Sequence, residues 1–448
     1  MRDEGVPEAA INAFRHYYDE LESGETGLLP DRELEPVSDL PAVDDLPDEV
    51  DREALDRTVV IKLNGGLGTS MGMDRAKSLI EAKDGLSFLD LVARQVLGLR
   101  RRHGARLPLV LMNSFYTQDE SLAALGRYPE LPVDLPLDFV QNKEPKLRAE
   151  DRHPIEWPAA PALEWCPPGH GDLYTALVTS GMLAALREQG YEHAFVSNSD
   201  NLGATLEPRI LSWFAAEGLP FAMEAVVGTE SDRKGGHLAR RLADGQLVLR
   251  ESAQVPAEDG ASFSDFRRWR FFNTNNLWVN LGALEAVVGA AGGFVPLTLI
   301  ANRKTVDPAD PSTPEVIQLE TAMGAAIGTF RGAQAVVVPR ERFVPVKTTN
   351  DLLVLRSDAY RLTDDARVMP ADGVPFVDLD GAHFKRLRDF DARFASGPPS
   401  LARCRRLLVR GDVAFGRGVT AVGEVEVRHD GPGQLRIEDG AVLEDGTG

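Results

Sequence analysis

Apolar residues recur along this chain with two periods. From Val59 to Ile61 they run unbroken, as in a strand buried on both faces. Beyond it, Phe88, Leu91, Val92, Val96 and Leu99 fall on one face of a helix, and Ser87 with Asp90 supplies a capping box. Residues 107–112 read as the next strand, 175–188 as a helix, 193–196 as a short strand and 221–227 as another. Strands alternating with helices predict an α/β fold with a mostly parallel sheet wrapped by helices. Ahead of this rhythm, residues 1–57 are acidic and interrupted by proline. Their one helical pattern covers 9–21, carried by Ile11, Phe14, Tyr17, Tyr18 and Leu21.

The pattern changes again near residue 385. Val413, Val419, Val425, Ile437 and Leu443 keep a six-residue period, with Gly431 in the skipped slot. A hexad with glycines between predicts a small C-terminal parallel β-helix; ordinary hairpins are the alternative. Three regions are therefore expected: a helical and extended segment over 1–57, the main α/β domain over 58–385 and the C-terminal domain over 386–448.

Charge and cysteine content narrow the function. The 448 residues carry a formal net charge of −20. Such a chain repels nucleic acid and anionic membranes, so neither is an expected partner. Cys166 and Cys404 are the two cysteines, too few for a disulfide framework, and no Cys/His cluster suggests zinc. No basic-then-apolar leader and no run of about 18 apolar residues appears, so a soluble, cytoplasmic protein is expected.

A phosphate ligand would need positive charge gathered locally, and residues 59–80, VVIKLNGGLGTSMGMDRAKSLI, offer it. Gly65, Gly66, Gly68 and Gly72 follow the strand and Lys77 stands nine residues past Gly68. Glycines let backbone N–H groups approach an anion, and a lysine adds a point charge. Lys62 and Arg75 are expected to join Lys77 around that anion. Met71 and Ala76 break a Walker A match, and Met71 also breaks G-x-G-x-x-G. The loop therefore belongs to another class of phosphate site, or is a flexible turn.

Other stretches add chemistry. Pro167, Pro168, Gly169 and Gly171 frame His170 ahead of a helix, as an anion-facing turn or a rigid loop. Asn198 and Asp200 follow a short strand, where one carboxylate suits Mg²⁺ or a plain Asx turn. Lys234-Gly235-Gly236 reads as a mobile loop. Asn275 lies in FNTNNLW, where amides suit sugar hydroxyls or a buried network. Glu320 fits a hydroxyl acceptor or a helix start, and Lys347 a strand-to-helix turn. No serine–histidine–acid set or cysteine nucleophile is evident, so the groups present position and neutralise phosphates.

In order, KLNGGLGTSMG, PLVLMNSF, WCPPGHGD, FVSNSDNLGAT, KGG, AQVP, FNTNNLW, VIQLETAMGAAI, RFVPVKTTNDLL and GDVAFG resemble the eukaryotic-type UTP–glucose-1-phosphate uridylyltransferase (UDP-glucose pyrophosphorylase) family from about residue 55 onward. The resemblance implies a nucleotidyltransferase α/β domain followed by a left-handed β-helix. It implies a Mg²⁺-assisted reaction of UTP with glucose 1-phosphate, giving UDP-glucose and pyrophosphate. By the same resemblance Leu63, Asn64, Gly65 and Gly66 cradle the nucleotide and Lys77 touches its phosphates. Gln141 and Gly169 read the uracil, His170 contacts the sugar phosphate, and Asn198 binds beside it. Asp200 holds Mg²⁺ and Lys347 stabilises the leaving pyrophosphate. Asn275 and Glu320 face glucosyl hydroxyls, and Lys234 closes over the substrate.

Two positions stand out against the family. Ser70 matches this branch where related nucleotidyltransferases carry arginine. Met73-Asp-Arg-Ala76 replaces a stretch like CKGP, losing a proline's φ restraint, and Arg75 is expected to stand in for the displaced lysine. The chain ends soon after GAVLE, where relatives continue into an oligomer-forming strand, so a monomer or small homo-oligomer is expected. Alternatives are a pyrophosphorylase for galactose or N-acetylhexosamine 1-phosphate, a UDP-sugar-dependent glycosyltransferase, or a non-catalytic nucleotide sensor.

Overall fold

The computed structural model describes residues 1–444 except 26, 74 and 309, and not the Ser70 side chain. The expectations for Ser70 and for Asp74 in the Met73–Ala76 stretch lie outside the described residues. In chain order, the elements that build the fold begin with helix α1 (Glu8–Ser23) and strand β1 (Thr58–Asn64), followed by α2 (Phe88–His103) and β2 (Leu109–Asn113). Strand β3 (Asp138–Val140), helix α3 (Leu173–Thr179) and strands β4 (His193–Asn198), β5 (Phe221–Val227), β6 (His237–Arg241) and β7 (Phe271–Asn280) follow. Next come β8 (Glu315–Thr321), β9 (Gln334–Val337) and helix α4 (Thr349–Arg356).

The central sheet runs β6–β7–β4–β1–β2–β3, with β5 beside β7 and β9 beside β5. Its β4–β1–β2–β3 half is parallel, as the βαβα rhythm predicts. The β7 side is antiparallel, which makes the sheet mixed. Alternation sends successive side chains to opposite faces. Val60, Leu109, Leu111 and Phe195 pack in one core with α2, while Val59, Ile61, Val110, Met112, Ala194 and Val196 pack in the other with α3. Both faces are covered, which is why these strands read as unbroken apolar runs.

Strand order places the site. The chain leaves β1 for β2 and β3 on one side, then returns to β4 on the other. Strand order reverses between β1 and β4, and in open α/β sheets ligands bind in the crevice at the carboxyl ends there. The Ser87–Asp90 capping box is formed as expected. The helix expected over 175–188 is two, broken at Ser180-Gly181, where Gly181 takes φ 77°.

The C-terminal region stacks in parallel. Strands β10 (Phe376–Leu379), β11 (Ser400–Arg410), β12 (Val413–Phe415), β13 (Thr420–Arg428), β14 (Leu435–Ile437) and β15 (Val442–Leu443) form two parallel sheets, β10–β11–β13–β15 and β12–β14. The hexad marks its interior at Val413, Val419 and Val425, all buried. The repeat is not strict. Leu407 pairs with Val425, eighteen residues on, whereas Val413 pairs with Leu435, twenty-two on.

Candidate active site

A cleft of about 290 Å³ opens at the carboxyl ends of β1 to β4. Leu63, Gly65, Gly66, Lys77, Gln141, Gly169, His170, Asn198 and Asp200, all singled out from sequence, line it together with Met112, Pro167 and Ser199. The residues of four separate stretches thus meet at the strand-order reversal.

The glycine loop folds back on itself. Lys77 N–H donates to Gly66 at 3.2 Å, Met73 N–H to Gly68 at 3.0 Å, and Leu67 bridges Ala76. These backbone bonds restrain a loop that carries no proline. Gly65 allows close approach: a Cβ there would stand 3.1 Å from the Gln141 carboxamide oxygen. At the opposite wall Gly169 has φ 79°, and its Cβ would meet the Thr321 carbonyl at 2.7 Å. A side chain would therefore be both strained and obstructed.

His170 is fixed by what it accepts. Met323 N–H donates to its Nδ1 at 3.1 Å, so the neutral ring carries its proton on Nε2. His170 is solvent-exposed at the mouth of the cleft, and desolvation by the surrounding atoms lowers its pKa below the ordinary imidazole value. A neutral ring with an Nε2 donor can hydrogen-bond a phosphate without adding charge.

Across the cleft, Lys77 Nζ meets Asp200 Oδ2 at 2.6 Å, both side chains mostly buried. The Asp200 carbonyl accepts from Val346 N–H at 3.2 Å, and Asn201 bridges Pro345. Asn201 also accepts from Val344 N–H at 2.9 Å through its side chain. These bonds tie the Asp200 loop to the stretch carrying Lys347. Beneath lies a buried network: Arg342 binds Glu224 at 2.7 Å and 2.8 Å, and Glu224 also accepts from Asn276 and Trp278.

Five expected residues lie outside this cleft. The Asn64 side chain donates to Asn113 and Ser121, both at 2.7 Å, so it knits β1 to its neighbours instead of lining the cleft. Lys347 is exposed and lines an adjoining groove of about 730 Å³. Its charge opposes the burial that raises the Glu251 pKa. Asn275 (φ 58°) bonds its neighbour Asn273, which in turn hydrogen-bonds Glu251. Glu320 backs the Gly169 turn, but its carboxylate is bridged by Lys304 at 2.7 Å. Lys234 is exposed in the loop before β6.

The expected cluster of Lys62, Arg75 and Lys77 does not form. Lys62 is buried and donates to Ser197 Oγ at 2.7 Å and the Ala204 carbonyl at 2.6 Å. Burial first, and the nearby Arg342 charge second, push its pKa down to about 7. Arg75 reaches Glu120 instead, at 3.6 Å. Sequence reading also passed over Glu251, the Glu224–Arg342 pair and Asp172, although Asp172 closes the WCPPGHGD stretch.

Among the described residues Asp200 is the one carboxylate lining the cleft, and these residues hold no group of three or more histidine, cysteine or acidic side chains able to form a metal cage. That donor set suits a cation carried largely by ligand phosphates and water. No helix among the described residues is long and apolar enough to cross a membrane.

A mixed α/β sheet with a glycine loop, a lysine–aspartate pair and a cleft at the strand-order reversal defines a nucleotide-handling enzyme. Comparison with known proteins gives the family. The model of the UTP–glucose-1-phosphate uridylyltransferase family matches residues 11–421. The Solanum tuberosum enzyme of that name is 42% identical over 424 residues, covering 93% of this chain and 84% of that protein. The Saccharomyces cerevisiae enzyme is 41% identical over 397 residues, covering 87% and 77%. A UDP-glucose pyrophosphorylase from Leishmania major, solved in complex with UDP-glucose, superposes with a TM-score of 0.94 at 48% identity, covering 99% of this chain and 96% of that one. The chain belongs to the UTP–glucose-1-phosphate uridylyltransferase family.

Proposed function

We propose that the cleft between β1 and β4 is where UTP and glucose 1-phosphate become UDP-glucose and pyrophosphate, the reaction of the family. The observation that supports this most is the Lys77–Asp200 pair facing the glycine loop, with Gln141 and Gly169 on the adjoining walls. In this reading Leu63, Gly65 and Gly66 follow the nucleotide backbone, and Gln141 and Gly169 form the uracil slot. His170 donates Nε2–H to the sugar phosphate, and Asn198 orients the same group.

A phosphate oxygen of glucose 1-phosphate attacks the α-phosphorus of UTP, the bond to the β-phosphate oxygen breaks opposite, and pyrophosphate leaves. The attacking oxygen is ionised near pH 7, so no general base is required. Lys77 neutralises charge on the α-phosphoryl group and Lys347, reaching in from the adjoining groove, neutralises the leaving group. Asp200 would hold Mg²⁺, which when bound supplies further charge neutralisation at the phosphates. Asn275 with Asn273 supplies amides for glucosyl hydroxyls, and Lys234 closes from the rim. Glu320 is a weaker contact because Lys304 already occupies its carboxylate.

We assign the C-terminal parallel stack as a left-handed β-helix. Because β10 pairs with β11, we place its start before residue 376 rather than at 385. A cytoplasmic monomer or small homo-oligomer fits this reading. Pyrophosphate release tests it: UTP with glucose 1-phosphate is expected to release pyrophosphate and form UDP-glucose. Galactose and N-acetylglucosamine 1-phosphates are expected to react at least tenfold more slowly. Free UDP formed from UDP-glucose without pyrophosphate would indicate a glycosyltransferase and overturn the proposal, as would UTP binding without turnover.

A further inference from the structure

Two walls of the cleft come from segments far apart in sequence. Gln141 follows β3, while Gly169 and His170 sit on the turn before α3. One buried side chain joins them. Asp172 accepts from Asn142 N–H at 2.6 Å through Oδ2, and from the Asn142 carboxamide at 2.8 Å through Oδ1. The other end of the Asn142 amide accepts from Thr179 Oγ1 at 3.0 Å. Gln141 N–H donates to the Asn113 carbonyl at 2.8 Å. The Gln141 segment therefore has two anchors, the sheet on one side and Asp172 on the other.

The surroundings of Asp172 contain more acid than base. Glu144 lies nearby with its Oε1 buried and unpartnered; burial first, then the charges of Asp172 and Glu320, push the Glu144 pKa upward. Tyr17 of α1 and Lys143 border the same small cavity. Burying a carboxyl beside another acid costs stability. A carboxylate here does one thing an apolar residue would not: both oxygens accept, so it holds the backbone and side chain of Asn142 together.

We infer that Asp172 is a positioning residue for the UTP side of the site, setting the distance between the Gln141 wall and the Gly169–His170 turn. The inference rests on the uracil-slot reading above. It touches no reacting atom, so its removal should weaken nucleotide binding and leave the chemical step largely intact.

The test measures steady-state kinetics and UDP-glucose binding by calorimetry. Asp172→Ala is expected to raise KM for UTP and Kd for UDP-glucose at least tenfold, with kcat within threefold of wild type. Asp172→Asn should rescue both to within about threefold, because its oxygen still accepts from Asn142 N–H while the Asn142 amide turns over. An unchanged KM and Kd in Asp172→Ala would overturn the inference, as would a fall in kcat alone. Should Asp172→Ala fail to fold, Asn142→Ala, which keeps the backbone bond, is expected to raise Kd about threefold, and no rise would count against the inference. Failure of the functional reading looks different: wild type would bind UDP-glucose yet release no pyrophosphate.

Discussion

Lys62 and Lys77 bracket the same glycine loop, yet they serve opposite purposes. Lys77 opens onto the cleft and meets Asp200 at 2.6 Å. Lys62 points to the other face of β1 and bonds only neutral oxygens. Strand alternation makes the difference: Leu63 faces the cleft, so Lys62 beside it cannot. A lysine near a phosphate loop is therefore informative only once its face is known. The cleft-facing side holds charge available to a ligand; the core-facing side holds an amine that burial drives toward neutrality.

The comparison is broken most severely at Lys77. Lys77→Ala is expected to fold normally and lose at least a hundredfold in turnover, in line with the ~3–4 kcal/mol of a lost oxyanion donor. Lys347→Ala is expected to match it. Thermal melts with pyrophosphate-release assays check both, and near-normal rates in either variant would remove its assigned role. A smaller loss, about tenfold in KM for UTP, is expected for Gly169→Ala, whose Cβ would press on the Thr321 carbonyl. An unaltered KM there would show that the turn yields freely.

Lys62 should report through stability against pH. Its folded pKa, about 7, lies below its ordinary 10.5. The unfolded chain thus binds more protons between these values, and its contribution to stability rises from pH 7 to 10, on the order of 4 kcal/mol. Asp172 runs the other way. Burial raises its carboxyl from 3.8 to about 7, so its contribution is full below pH 4 and is lost as pH rises to 7. Together they place a minimum near pH 7. Urea unfolding at pH 5, 7 and 10 is expected to show the upper slope shrink in Lys62→Met, leaving the smaller share from the lowered Lys83 and Lys146, and the lower slope shrink in Asp172→Asn. An upper slope unchanged in Lys62→Met would mean that this buried amine is not its source.

Much of this was legible beforehand, for physical reasons that differ by region. The capping box at Ser87 and Asp90 is local, and it appears where the sequence puts it. The glycine loop and Asp200 each follow a strand of the central sheet, and strand order brings those ends together; the His170 turn joins them from the start of α3. The break at Gly181 within the single helix expected over 175–188 had a local signal that the apolar pattern overrode: φ 77° is open to glycine at little cost. Contacts between distant stretches were out of reach. Nothing local to Lys347 points to Glu251, and nothing local to Asn142 points to Asp172. Alternation also turns the Asn64 side chain to the face opposite Leu63, where it bonds Asn113 and Ser121.

Arg75 gives the finest resolution of the comparison. It stands two residues before Lys77, carries the same charge and was expected to replace a lysine lost from the family pattern. Its guanidinium instead reaches Glu120 at 3.6 Å, and both side chains are about half exposed. An exposed pair at that distance contributes about 0–1 kcal/mol, and salt screens it. Arg75→Ala is therefore expected to leave stability within about 0.5 kcal/mol and turnover within twofold, measured beside Lys77→Ala. The loop should keep its shape, because the Lys77–Gly66 and Met73–Gly68 bonds use backbone atoms alone. A tenfold loss of turnover in Arg75→Ala would mean that the side chain swings from Glu120 to the phosphates when UTP binds, and position along the loop rather than facing would then govern its charge.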